Sequence, residues 1–264
     1  MCCFFCNHRI IFFVMEIRDY LKRLGIEKAE EPSLKFLIEL QSRHLLSIPF
    51  EDLDIADRNR IELDLDKIYN KIIPSKRGGF CYELNGLFYW LLTSLGFKVE
   101  MLSARVFNSK KNEFGPEYDH MTLLVHLNRD YLVDVGFGDS FRRPIQMPDG
   151  EVEDTSGYYK ILKKENDSFE LLKKEDVGFL SQYSFTTYPQ RLEAYKDMCD
   201  FQQDSPTSHF RTRMLCTIAT EIGRITLSNN SLTITENSIK SKTEFSDEHE
   251  FYILLKKHFG IVLD

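Results

Sequence analysis

The hydrophobic period of this chain changes near Gly96, and that change restricts what the chain can fold into. Before it, apolar residues recur three and four apart, the spacing of amphipathic helices; after it, they fall in short Val-, Leu- and Met-rich runs of the kind that form strands. Ile17, Tyr20, Leu21 and Leu24 mark a first helix that Gly25 stops. Ser33 is placed to cap a second helix carrying Leu34, Leu37, Ile38, Gln41 and Leu45, with Pro49 close behind, and Asp64 to cap a third carrying Leu65, Ile68 and Ile72, which ends at Pro74. A basic, glycine-bearing loop over 75–80 then leads into a strongly apolar helix, CYELNGLFYWLLTSLGF, that ends at Gly96. Strands are expected over 98–107, 120–127 and 131–135, and a hairpin joins 158–162 to 169–172 around Asn166-Asp167. A helix near 190–201 precedes strands at 213–220, 222–228 and 231–235, with Asn229-Asn230 as a turn. Ser246 is placed to cap a last helix over 247–258. Helices, then mostly antiparallel sheet, then a mixed end make this an α+β chain.

The 264 residues include 42% hydrophobic and 28% charged positions, which supports a packed core and excludes a disordered or collagen-like chain. A net charge of −7 with no run of Lys and Arg argues against nucleic acid as partner, because phosphate contacts need a basic face. Small acidic ligands are not excluded, since a local basic pocket does not show in a net charge. Cys2, Cys3 and Cys6 crowd the N-terminus, while Cys81, Cys199 and Cys216 stand singly without CxxC spacing. No metal set or disulfide framework follows, and reduced thiols in the cytoplasm fit better. The apolar opening MCCFFCNHRIIFFV is interrupted by Asn7, His8 and Arg9, has no small-residue cleavage site and is too short to span a bilayer. Residues 1–14 are therefore expected to be an extension outside the fold, with a buried N-terminal strand as the alternative; no membrane association is expected.

Cys81 follows Gly78 and Gly79 at the first turn of a helix, where orphan N–H groups and the helix dipole favour a thiolate, with Arg77 adding positive potential. A nucleophile fits that environment, and so does a buried, inert cysteine. His120 opens one strand and Asp134 closes the next. In a tight hairpin centred at 127 they stand opposite, and a histidine beside a carboxylate is held in one tautomer, ready to take a thiol proton. His126 shares the strand and the face but falls at the turn end. After Asp134, Gly136 and Gly138 flank Phe137 in a loop that either presents backbone N–H groups to a phosphate or carbonyl or is a plain turn.

Together, RGGFCYELN at 77–85, HLLSIPFEDL at 44–53, Asp119-His120 and VDVGFG at 133–138 resemble the arylamine N-acetyltransferases, in order and spacing from about Met15 to the C-terminus. The resemblance implies a helical bundle over 15–95, a β-barrel-like domain over 96–188 and an α/β lid over 189–264, around a cysteine-proteinase-like Cys–His–Asp core. It implies ping-pong transfer of acetyl from acetyl-CoA, the cosubstrate, through a Cys81 thioester to an arylamine, hydrazine or N-hydroxyarylamine. His120 would be the general base and acid, Asp134 the orienting carboxylate, and Glu51–Arg77 a structural ion pair. By the same comparison Phe201, Thr207 and Ser208, with Gly136 and Gly138, would meet CoA, and Phe137 and Asp119 the acceptor. The chain ends at Asp264 without the longer tail of some members. A papain- or transglutaminase-like hydrolase shares the Cys–His–Asp order, and a catalytically inactive paralogue would share all of these motifs.

Overall fold

The computed structural model describes residues 15–263, so the expectation for residues 1–14 lies outside it. The N-terminal part holds α1 (Ile17–Arg23), α2 (Leu34–Ser47), a two-residue β1 (Phe50–Glu51), α3 (Leu53–Ala56), α4 (Leu65–Ile72) and α5 (Cys81–Ser94). The caps read from the sequence form: Ser33 Oγ accepts the Phe36 N–H at 3.2 Å and Asp64 Oδ1 the Lys67 N–H at 3.0 Å. Gly25 turns the chain after α1 at φ +72°, a left-handed conformation a side chain disfavours. The period predicts helix throughout the run to Ile73, but the run is not wholly helical. After Pro49, Phe50 and Glu51 extend and pair antiparallel with Thr217 and Cys216.

Next come β2 (Lys98–Asn108), β3 (Glu113–Phe114), β4 (His120–His126), β5 (Asp130–Val133), β6 (Ile145–Gln146), β7 (Glu151–Asp154), β8 (Gly157–Lys163), β9 (Ser168–Glu175) and β10 (Gly178–Gln190). They form one antiparallel sheet in the order β6-β5-β4-β2-β10-β9-β8-β7, with β3 on β2. Edge strands β6 and β7 touch, so the sheet curls into a nearly closed barrel. Asn166 and Asp167 both take positive φ at the β8–β9 turn, as their sequence suggests. The period of two sorts side chains between two cores. On β2, β4 and β5 the odd positions Val99, Met101, Met121, Leu123, Val125, Tyr131 and Val133 pack in the core shared with α5. The even positions Leu102, Ala104, Leu124 and Leu132 fill the barrel with Tyr159, Phe169, Tyr183 and Phe185.

The C-terminal part runs from a 3₁₀ turn (Leu192–Tyr195) into α6 (Lys196–Asp204), a second 3₁₀ turn (His209–Arg211), strands β11 (Leu215–Thr220), β12 (Gly223–Ser228), β13 (Ser231–Glu236) and β14 (Ile239–Glu244), and α7 (Glu248–Phe259). The sheet order is β1-β11-β12-β13-β14. Asp247, not Ser246, caps α7, accepting the His249 N–H at 2.9 Å. One face, with Cys216, Leu227 and Leu232, packs on Phe251 and Leu255 of α7. The other carries two cross-strand rows, Phe50–Thr217–Thr226–Thr233 and Ala219–Arg224–Thr235–Lys240. Among the described residues no helix is long and apolar enough to cross a membrane.

Candidate active site

Cys81 is the first residue of α5, and the loop before it is fixed by charge. Arg77 donates to Glu51 Oε1 at 2.9 Å and to Asp54 Oδ1 at 3.0 Å; Lys71 reaches Asp54 at 2.7 Å and Glu83 at 2.9 Å. The Glu51–Arg77 pair that the resemblance implies is thus part of a larger interlocked set. Burial alone would lower the Lys71 ammonium, but Glu83, Glu51 and Asp54 together raise it. Glu83 also accepts the Phe80 N–H at 3.1 Å, closing the helix start below the sulfur. The loop lies tight on β1: a Cβ on Gly78 would sit 2.1 Å from the Pro49 carbonyl oxygen, so only glycine fits.

His120 and Asp134 meet, but through a different register from the one expected. Leu123 pairs with Val133 and His126 with Asp130, which centres the hairpin on Asn128 and sets Thr122 level with Asp134. The expected centre at 127 is corrected by one residue because the loop holds three residues, closed by the Leu127 N–H on the Arg129 carbonyl at 2.9 Å. The pairing moves by two, so every side chain keeps its face, and His120 becomes the diagonal neighbour of Asp134. Its Nε2 lies 2.6 Å from Asp134 Oδ2. His126 bonds Asp130 at the turn end, away from Asp134.

Asp134 is buried and fully engaged. Oδ2 also accepts from Tyr183 Oη at 3.1 Å, while Oδ1 accepts from Asn85 Nδ2 and the Gly136 N–H, both at 2.9 Å. Asn85, one turn after Cys81, closes the link from α5: its Oδ1 takes the Val135 N–H at 3.0 Å and its Nδ2 also reaches the Met121 carbonyl at 2.6 Å. The Gly136 N–H therefore bonds Asp134 and is not presented to a ligand. A Cβ at Gly136 would lie 2.8 Å from the Cys81 carbonyl oxygen and 2.6 Å from Asn85 Nδ2, so this glycine permits close approach of the loop to α5.

Cys81, Asp119, His120, Gly136, Phe137 and Gly138 line one cavity of about 430 Å³. Phe137 stands edge-on to His120 with ring centres 5.0 Å apart. The cavity continues over the polar face of the five-stranded sheet, past Thr217, Thr226, Thr233 and Thr235 to Arg213, Arg224 and Lys240. Arg213 and Lys240 form no ion pair among the described residues, whereas Arg224 Nε meets Asp139 Oδ1 at 3.1 Å. Burial, then the charges of Asp119 and Asp134 among others, push the Cys81 thiol well up. The expectation of an Arg77-assisted thiolate is corrected, since that guanidinium is engaged by Glu51 and Asp54 and Cys81 as a whole is only 5% exposed. Phe201 and Thr207 are exposed and outside the cavity lining; Ser208 is buried, its Oγ donating to Gln202 Oε1 at 3.0 Å and accepting the Phe210 N–H. Asn85, Tyr183, Gln202 and the three cations were not singled out by the sequence. Only Asn85, four residues after Cys81 on the same helix face, carried a local signal.

Residues 33–264 match the family model described as N-acetyltransferase. The chain is 31% identical to mouse arylamine N-acetyltransferase 2, over 95% of each chain. It belongs to the arylamine N-acetyltransferase family. The family fold is shared by the enzyme from Salmonella typhimurium, with a TM-score of 0.87 and 29% identity over 93% of this chain and 90% of that one. An arylamine N-acetyltransferase from Bacillus cereus, described with a Cys-His-Glu catalytic triad, superposes with a TM-score of 0.87 at 27% identity over 95% of this chain and all of that one. As a member of the arylamine N-acetyltransferase family, this α+β chain is an acyltransferase.

Proposed function

We propose that the protein moves acetyl from acetyl-CoA to an arylamine, hydrazine or N-hydroxyarylamine through a thioester on Cys81. The observation that carries this reading is a single cavity onto which the first residue of α5 and a carboxylate-held imidazole both open. With Nε2 donated to Asp134, Nδ1 of His120 is the ring nitrogen left to take a proton. Burial, then Asp119 and Asp134 among others, oppose ionisation of the resting thiol. It becomes nucleophilic as its proton passes to His120. The sulfur then attacks the thioester carbonyl, and the C–S bond to CoA breaks. The imidazolium returns its proton to the departing CoA sulfur. The amine next attacks the acetyl-cysteine thioester, its proton passes through His120 to the Cys81 sulfur, and the amide leaves. Cys81 and His120 are both buried at the inner end of the cavity, which limits water there and favours transfer over hydrolysis.

The donor's phosphates are assigned to Arg213, Arg224 and Lys240. Strands spaced by about 4.8 Å put Lys240 on β14 roughly 19 Å across the sheet from Phe50 on β1, the length an extended carrier arm must bridge from the sulfur. Phe201 and Thr207 would meet only the outer part of the donor, and Gly138 the arm near Phe137. Phe137 and Asp119 line the acceptor end; a flat aromatic amine suits the ring face. The described cysteines Cys81, Cys199 and Cys216 form no disulfide, in keeping with the cytoplasm as the site of action.

Mixing the protein with acetyl-CoA should place an acetyl group on the Cys81 peptide by mass spectrometry, and adding an arylamine should remove it as free CoA accumulates. Cys81→Ala should lose both. Acylation that survives in Cys81→Ala would defeat the assignment, and peptide cleavage without CoA consumption would favour the hydrolase.

A further inference from the structure

The reacting end of the cavity holds a second carboxylate, Asp119, with a different surrounding from Asp134. Asp134 is saturated by four donors, and Asp139 at the far end is held by Arg224 at 3.1 Å and Lys173 at 3.4 Å. Asp119 sits on the wall with Cys81 and His120 and is only partly buried.

Several contacts fix it there. Tyr118 has φ +64°, a left-handed conformation that an aromatic residue disfavours and that marks a backbone held by its surroundings. Its N–H donates to Ser103 Oγ at 2.8 Å and its carbonyl accepts from Tyr82 Oη at 2.6 Å. The Asp119 carboxylate accepts from Gln202 Nε2 at 2.8 Å through Oδ1. Gln202 is buried at 3% exposure, with its own oxygen held by Ser208 Oγ at 3.0 Å. Gly115 leaves room for the group, since a Cβ there would lie 2.5 Å from Asp119 Oδ2.

A negative charge here works against the first half of the reaction, because it disfavours the Cys81 thiolate. In the second half the requirement reverses. The attacking amine becomes positively charged as its N–C bond forms, and a preorganised carboxylate stabilises that charge and aligns an N–H. We propose that Asp119, aimed by Gln202, receives the amino group of the acceptor and selects acceptors that bring N–H donors and no negative charge to this end of the cavity. The assignment rests on Cys81 as acyl carrier. Asp119 takes no net proton: one amine proton travels through His120 to the departing sulfur as C–S breaks, and the remaining N–H stays bonded to Asp119. Gln202 is a positioning residue.

Separate measurement of the half-reactions tests this. Acylation is followed by intact mass after mixing with acetyl-CoA; aminolysis is followed by loss of the acetyl adduct on adding aniline or phenylhydrazine. The ratio of aminolysis to acylation should fall roughly tenfold or more in Asp119→Asn, and less steeply in Gln202→Met. Wild-type protein should prefer aniline to 2-aminobenzoate, whose carboxylate neighbours the amine, and Asp119→Asn should lose that preference. An unchanged ratio, or both half-reactions falling together, overturns the proposal. A wild type that never gains acetyl on Cys81 sinks the acyl-carrier reading instead. Calorimetric binding of phenylhydrazine then decides for Asp119, supporting it if Asp119→Asn weakens binding and overturning it if affinity is unchanged.

Discussion

At the scale of single residues the site is a problem of close approach. Asn85 and Gly136 bring α5 and the loop after β5 within van der Waals contact, and Asp134 is held between them by Asn85 Nδ2, the Gly136 N–H, Tyr183 Oη and His120 Nε2. Gly136→Ala has no room to relax, because the atoms met at 2.8 and 2.9 Å belong to the Cys81 backbone. The substitution should destabilise the protein by about 2 kcal/mol through overpacking and slow acylation far more than the melting shift implies. Denaturant titration with acylation rates checks it; normal rates in a folded variant would show that the loop tolerates displacement.

Among the elements, β1 is only two residues long yet joins separate parts of the chain. It ties the loop before Cys81 to the C-terminal sheet, with the Glu51 N–H on the Gly79 carbonyl at 2.9 Å. Next to it, Asp52 Oδ1 accepts the Leu215 N–H at 2.6 Å, while Oδ2 is buried with no hydrogen-bond partner among the described residues. Burial, with a contribution from Glu51, raises this carboxyl to about 7. The unfolded chain releases the proton near the ordinary value of about 3.9, so between there and 7 the folded state binds more protons and stability falls as pH rises. Above pH 7 the loss is complete and amounts to at most about 4 kcal/mol. Asp52→Asn should therefore melt higher than wild type at pH 8 and show no such gain at pH 4.5. An equal difference at both values would remove Asp52 as the source.

At the scale of the whole molecule, a buried guanidinium bridges the barrel and the five-stranded sheet. Arg142, between β5 and β6 of the barrel, donates to the Thr220 and Gly223 carbonyls of the β11–β12 turn at 2.5 Å each, and to Ser156 Oγ at 2.7 Å. Removing it leaves two carbonyls and a cavity at the join between barrel and five-stranded sheet. Arg142→Met should cost about 3 kcal/mol in denaturant titrations and loosen the polar sheet face that roofs the cavity. A variant with unchanged midpoint would show that the apolar contacts alone fix the two sheets.

What the sequence determined by itself was local. Helix periods, the Ser33 and Asp64 caps, the Asn166-Asp167 turn and Cys81 at a helix start all depend on neighbours a few residues away, and they appear where the pattern put them. Long β10 was not legible, because a register shift between Phe185 and Pro189 breaks its alternation; β14 was not, because as an exposed edge it has no apolar face. Ser246 lost the cap to its neighbour Asp247, a shift within the usual uncertainty of a helix end. Tertiary structure alone decided the partners. Tyr183 reaches Asp134 across 49 residues and Gln202 reaches Asp119 across 83, and the cations of three separate segments gather on one cavity. Such contacts depend on how sheets curl and stack, which no spacing along the chain encodes.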